Sequence, residues 1–133
     1  MENFFEWDAA KYSVQVPQMD RGHQVIIACM NRLHTMHESG APVAQLARTV
    51  DELVQVTVKH FSEEEAYMAS IDFPDVAKHK IIHKTLLAKV VEHKAQFDAS
   101  GKLTAEFFSF LKVWLKAHIC GIDIKYGQHR KVA

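Results

Sequence analysis

Seven side chains carry the chemistry legible in this sequence: His23, His60, Glu64, His79, His83, His118 and Asp123. His60 and Glu64 are four residues apart, and so are His79 and His83. On an α-helix that spacing puts both members of a pair on one face, one turn apart. His118 and Asp123 are five apart with Gly121 between them, so the helix is expected to break there and a short turn to swing the carboxylate back. A single histidine on an apolar stripe is more often a satisfied core residue than a ligand. Polar side chains buried without partners are costly, however. Five imidazoles and two carboxylates on core-facing stripes therefore call for a strong shared partner, and metal ions supply one.

The donor set selects the metal. Zinc sites usually take four ligands and often include thiolates. Imidazole together with carboxylate suits iron. Each carboxylate can bridge two ions, and five imidazoles divide three and two. The ion with three is saturated once the bridges are counted, and the ion with two keeps a position for a small ligand. In Glu63-Glu64-Glu65, successive helix positions turn by about 100°, so only Glu64 shares the face of His60. Glu63 and Glu65 are expected in solvent or beside a ligand. His34, His37, His93 and His129 lack a complete ligand set. Cys29 lies off the His23 face, and Cys120 reads as a small buried residue.

Four helices must position these side chains. Residues 1–18 read as an irregular arm, because Pro17 disfavours helix in the residue before it. Asp20 is placed to cap a first helix running to about Glu38, which Ser39, Gly40 and Pro42 terminate. A second runs from near Pro42 to about Ala69, with Leu46, Val50, Leu53, Thr57, His60, Glu64 and Met68 on one stripe. A third covers about 75–98, with Val76, His79, His83, Leu86, Val90 and Phe97 inward. A fourth runs from about Thr104 to Ile119, with Phe107, Phe108, Leu111, Leu115 and His118 inward. Short connections make sequential helices antiparallel, so the expected fold is an all-α, up-down-up-down four-helix bundle. That order brings all seven donors to one end of the bundle.

Composition narrows the rest. A length of 133 residues suits one domain, taken as 1–133 with the bundle and metal site over 19–126. Sixteen basic and sixteen acidic residues give no net charge, which favours neither nucleic acid nor an anionic membrane. Two cysteines make no disulfide framework, which fits the cytoplasm. The aromatic start at Phe4, Phe5 and Trp7 is interrupted by Glu2, Glu6 and Asp8, so no signal peptide is read there. No apolar run reaches the roughly 20 residues of a membrane span.

The pattern resembles the hemerythrins, in particular the single-domain bacterial type. The resemblance rests on Trp7, Tyr12-Ser13-Val14, Asp20-Arg21-Gly22-His23, His60 through Met68, His79 through His83, Trp114 through Asp123, and Tyr126. Gly22 departs from it, standing where the family usually has Gln before this histidine. The resemblance implies one iron on His79, His83 and His118 and the other on His23 and His60. Glu64 and Asp123 would bridge them, together with a solvent-derived oxo or hydroxo group. It implies reversible O2 binding, for storage, delivery or scavenging, and the His-rich donor set, with no obvious acid/base pair beside the open iron, argues against enzymatic turnover. If O2 takes one electron from each ferrous ion together with the bridging proton, the buried centre keeps its net charge. The alternatives are an oxygen or redox sensor acting through a separate partner protein, and a di-iron peroxidase or oxidase. By the same resemblance Leu115 covers the open iron, and Phe61, Trp114 and Ile119 complete an apolar shell.

Overall fold

A computed structural model describes residues 4–132, and 1–3 and 133, which the expected domain includes, lie outside the described residues. Among the described residues six α-helices follow one another: α1 (Ala9–Tyr12), α2 (Pro17–Glu38), α3 (Val43–Ser70), α4 (Val76–Ser100), α5 (Ala105–His118) and α6 (Ile124–Val132), with a π-helical turn over Ile119–Asp123 joining the last two. The four long helices are those expected from the apolar periodicity, with boundaries within a few residues. Gly40 and Gly101 take positive φ after α2 and α4 (75° and 71°), which lets the chain turn without a Cβ penalty. Thr104 caps α5 by accepting from the Phe107 N–H at 3.1 Å.

Inward faces follow the stripes. Leu46, Val50, Leu53, Thr57, His60, Glu64 and Met68 of α3 are all buried, as are Phe107, Phe108, Leu111, Leu115 and His118 of α5. The buried residues of α4 are His79, His83, Val90 and Phe97, while Val76 and Leu86 are only partly buried. Two of the four buried residues of this helix are thus imidazoles, which makes α4 the long helix least able to dock by apolar packing alone.

Two features of the N-terminal segment correct the sequence reading. The arm is not wholly irregular: it holds the helical turn α1, capped by Asp8 through the Ala10 N–H at 3.0 Å. Asp20 does not cap α2, which begins at Pro17 with Val16 at the N-cap position. Instead Asp20 holds the arm, accepting from the Val14 N–H at 2.9 Å and the Ser13 hydroxyl at 2.6 Å. Asn31 reinforces this from about three turns further along α2. Its side chain accepts from the Phe5 N–H at 2.7 Å and donates to the Phe5 carbonyl at 2.8 Å. The third correction is at the other terminus. Gly121 does not break the helix, which continues through the π turn into α6.

Candidate metal centre

All seven sequence-predicted donors meet at one end of the bundle, each no more than 4% exposed. α2 brings His23, α3 brings His60 and Glu64, α4 brings His79 and His83, and α5 with the π turn brings His118 and Asp123. The antiparallel order makes this possible, since the end of α3 meets the start of α4 and the start of α2 meets the end of α5.

The π turn solves a register problem. In a regular α-helix a residue five positions on is rotated by about 140°, away from the first. Across Ile119–Asp123 the Ile124 N–H instead bonds to the Ile119 carbonyl, five residues back. The wider turn returns Asp123 to the face of His118, and Asp123 Oδ1 lies 3.0 Å from His118 Nε2.

Each carboxylate then faces two ways. Asp123 Oδ1 is 3.0 Å from Nε2 of both His79 and His118, and its Oδ2 is 2.9 Å from His23 Nε2. Glu64 Oε1 is 3.1 Å from His83 Nε2, while its Oε2 is 3.3 Å from Nε2 of both His23 and His60. One oxygen of each acid therefore points at the group of three imidazoles and the other at the pair. The donors fall into two sets sharing Glu64: one with His79, His83, His118 and Asp123, the other with His23 and His60.

These approaches are close without being hydrogen-bonded throughout. Nε2 of His60, His79, His83 and His118, Glu64 Oε1 and Asp123 Oδ1 are buried and lack a hydrogen-bond partner of acceptable geometry. Six inward-facing donor atoms left in that state would destabilise the core. They fit metal ions, which need lone pairs aimed at a common point rather than aligned N–H bonds. The electrostatics agree. Burial weighs most heavily against a proton on His23, yet hydrogen bonding to Asp123 and Glu64 overrides it and raises the pKa to about 10. Burial pushes Glu64 up, but His23, His60 and His83 hold it well below the usual carboxylate range. Burial and the charge of Glu64 push Asp123 up, and His118 and His23 outweigh them and hold it low. The two acids thus stay ionised and demand positive charge between them.

Two supporting contacts lie one layer out. Glu65 Oε2 accepts from His83 Nδ1 at 2.9 Å, which leaves the Nε2 lone pair facing inward. Tyr126, fully buried, donates to Glu64 Oε2 at 2.6 Å. Sequence spacing left Glu65 between solvent and the ligands and gave Tyr126 no partner. The only signal for Glu65 was its place beside a ligand, because its bond runs across to another helix. Glu63 faces outward, 3.9 Å from Lys59 Nζ.

Phe61, Trp114, Leu115 and Ile119, the expected apolar shell, are all buried. Phe61 stacks on the His83 ring at 3.8 Å between centroids. The other histidines stay away from the centre. His34 stacks on Phe4, His37 lies against Phe108, His93 against Phe107 and Phe110, and His129 meets the Ile71 carbonyl at 3.2 Å. Cys29 is buried as part of the core, but Cys120 is exposed, contrary to expectation, because the π turn rotates it outward.

Comparison with known proteins matches this arrangement. The Hemerythrin HHE cation binding domain family matches residues 14–128. A bacteriohemerythrin of Stenotrophomonas maltophilia (strain R551-3) is 31% identical over 119 residues, covering 90% of this chain and 77% of the relative. A myohemerythrin of Riftia pachyptila is 34% identical over 122 residues, covering 92% and 90%. Among solved structures, wild-type hemerythrin superposes with a TM-score of 0.85 at 28% identity, over 93% of this chain and 95% of that one. A leucine-to-alanine variant of hemerythrin gives 0.88 at 26% identity, over 96% and 98%. With the family match running from the arm into α6 and across every donor of the buried cluster, the chain belongs to the hemerythrin family.

Proposed function

We propose that this chain binds O2 reversibly at a di-iron centre, with His79, His83 and His118 on one ion, His23 and His60 on the other, and Glu64 and Asp123 across both. The observation that carries this reading is the two-way aim of the carboxylates, one oxygen of each toward the three-imidazole group and one toward the pair. When bound, two iron ions would supply the redox and coordination chemistry that holds O2. The chain's own residues do the rest. Three imidazoles against two leaves the unequal coordination that gives a small ligand a place at one ion only. Tyr126 and Glu65 fix the orientation of Glu64 and His83. Leu115, Ile119, Phe61 and Trp114 keep the region apolar, which protects the bound state from water.

A carrier role, in storage, delivery or scavenging, is favoured over enzymatic turnover by how the nearby titratable groups are used. Tyr126 is engaged with Glu64 and raised far above its ordinary pKa, first by burial and then by the charge of Glu64, and Glu65 is engaged with His83. Neither is free to pass a proton to a substrate. The whole chain is read as one functional unit. Among the described residues no helix is long and apolar enough to cross a membrane. The two free thiols suit a reducing cytoplasm.

The deciding experiment is rapid mixing of the diferrous protein with O2, followed by vacuum. A coloured adduct that forms and then releases O2 is the expected result. Direct conversion to a diferric product with consumption of O2 would make the protein an oxidase or peroxidase instead. Purified protein should hold two irons per chain, and one bound zinc after iron-replete expression would reject the centre as described.

A further inference from the structure

Between Val76 and Val91, α4 carries Lys78, Lys80, Lys84 and Lys89 and no acidic residue. The start of a helix favours acids and disfavours cations, so this charge works against the helix that bears it. The chain as a whole has no net charge, and the excess is therefore local. Lys94, further along, pairs with Asp51 and Asp98 at 3.3 and 2.8 Å. Among the described residues no carboxylate comes within ion-pair distance of the other four lysines. Lys80 and Lys84 line a groove of about 460 Å³ between α3 and α4, and Ile81 lies between them, 66% exposed. Phe61, Glu65 and the His83 ring line the same groove. Glu65, its one acid, is turned to His83 Nδ1 at 2.9 Å. The groove thus reaches a donor of the metal centre, and Phe61 stacks on that donor's ring at 3.8 Å with the planes 4° apart. His79, by contrast, borders a hollow of only about 60 Å³.

We propose that this groove docks an acidic one-electron carrier protein, which returns the oxidised centre to its ferrous state by way of His83. This rests on the di-iron reading above. A ferrous centre that loses its ligand as peroxide is left ferric and binds no O2 until it is reduced. Every donor is at most 4% exposed, so a protein donor cannot touch the ions and electrons must enter through a ligand. The His83 ring, stacked on Phe61 and lining the groove, is a short packed path to the surface. Two carrier molecules each lose one electron, two ferric ions become ferrous, and one proton from solvent goes to the bridging group. Lys80 and Lys84 match carboxylates around a carrier's cofactor, and charge of that kind speeds and orients encounter. Ile81 supplies the apolar contact between them. The groove is concave and receives a protruding protein edge, whereas a flat bilayer would bridge over it.

Anaerobic stopped-flow reduction of the iron-loaded diferric chain tests this, with an acidic flavodoxin hydroquinone as donor. Lys80→Glu combined with Lys84→Glu should slow reduction at least about tenfold at low salt, the lower end of what charge steering contributes. The difference should close near 1 M salt, where the Debye length is about 3 Å. Lys80→Arg with Lys84→Arg keeps the charge and should keep the rate. Lys102→Glu, in the turn after α4 at the far end of the bundle, should leave it unchanged. Reduced methyl viologen, a small cation that needs no docking surface, should reduce the Lys80/Lys84 charge-reversal variant no more slowly than the unmodified chain. A second readout does not involve turnover. Carbodiimide cross-linking to oxidised flavodoxin, mapped by mass spectrometry, should join Lys80 or Lys84 ahead of Lys102. Equal slowing by Lys102→Glu, equal slowing with viologen, or cross-links spread evenly over the lysines would overturn the proposal. So would a groove that Lys80→Glu and Lys84→Glu show to bind phosphatidylserine vesicles, or a second copy of this chain, with no effect on flavodoxin. A purified chain holding fewer than two irons would overturn the di-iron reading itself and this proposal with it.

Discussion

On the proposed reading, Glu65 and Leu115 serve the same centre by opposite means, Glu65 by holding a ligand and Leu115 by keeping water out. Glu65 fixes His83 through a 2.9 Å bond to Nδ1, and it lines a groove of about 460 Å³ between α3 and α4 together with Phe61, Lys80 and Lys84. Glu65→Ala opens the far side of His83 to solvent and leaves its ring held only by the stack on Phe61. Metal affinity should fall by roughly 10–100-fold, while Glu63→Ala, whose carboxylate faces Lys59, should leave it unchanged. Equal effects in a competition with a calibrated chelator would show that the contact merely reflects a crowded acidic run. Among the donors themselves, His79→Ala and His118→Ala should each lose iron by elemental analysis, and His34→Ala, stacked on Phe4 away from the centre, should not. Leu115 lies one helical turn before His118 and is 1% exposed. Leu115→Ala should cost about 2–5 kcal/mol of stability through the cavity it leaves. It should also speed oxidation of the ferrous protein in air by admitting water. Leu111→Ala, equally buried on the same helix, is the control, since a comparable acceleration there would mean general loosening rather than a role for Leu115 as cover.

At the scale of elements, the π turn links fold and chemistry most directly. It supplies Asp123 to both halves of the centre and carries the chain on into α6. Asp123→Ala should therefore lower iron content and change the visible spectrum while the far-ultraviolet circular dichroism stays that of a helical bundle. Unchanged iron and spectrum would remove Asp123 from the centre. The stripes of α3 and α5 were legible in the sequence, because a period of 3.6 records burial directly and His60, Glu64 and His118 simply occupy stripe positions. The spacing of His118 and Asp123 is five, which no regular helix accommodates, and Gly121 made a break the natural local reading. What preserves the helix is not local: Tyr126, three residues beyond Asp123, is bonded to Glu64 on α3 and fully buried. The arm departs from its local sequence signals for the same reason. Asp20 has the type and position of a cap, and only the fold reveals that the Ser13 hydroxyl and the Val14 N–H come to it instead. Gly127 depends on that arm as well, since a Cβ there would stand 1.9 Å from the Val14 carbonyl oxygen. Gly127→Ala should push the arm off α6 and cost roughly 1–3 kcal/mol, the usual penalty for overpacking. A thermal melt unchanged from the unmodified chain would show that the arm yields without cost.

The whole molecule has two ends of different character. Toward one lie Leu33, Leu46, Phe97, Phe107 and Phe108, an apolar core of ordinary composition. At the other, five imidazoles and two carboxylates occupy positions that apolar side chains would otherwise fill. The apolar end gains stability by removing hydrocarbon from water, and this holds with or without metal. The polar end depends on the charge between its two acids. With metal removed, protons supply part of that charge, as the raised His23 pKa of about 10 indicates, but they do not align with every inward donor atom. Metal binding is therefore coupled to the folding of one end of the bundle and only indirectly to the other. Removal of metal by a chelator should lower the melting temperature, and amide hydrogen exchange should locate the loss. Protection should fall first around His60 to Met68, His79 to His83 and Leu115 to Tyr126. It should persist around Leu33, Leu46, Phe97 and Phe107, whose packing does not involve the metal. The helix with most to lose is α4, whose buried positions near the centre are His79 and His83 and whose apolar anchors, Val90 and Phe97, lie toward the other end. Its first turns should open before those of α3, which is held by Leu46, Val50 and Leu53 as well. Uniform loss of protection along all four long helices would show instead that the bundle folds as one cooperative unit with the metal, and that its apolar end cannot stand alone.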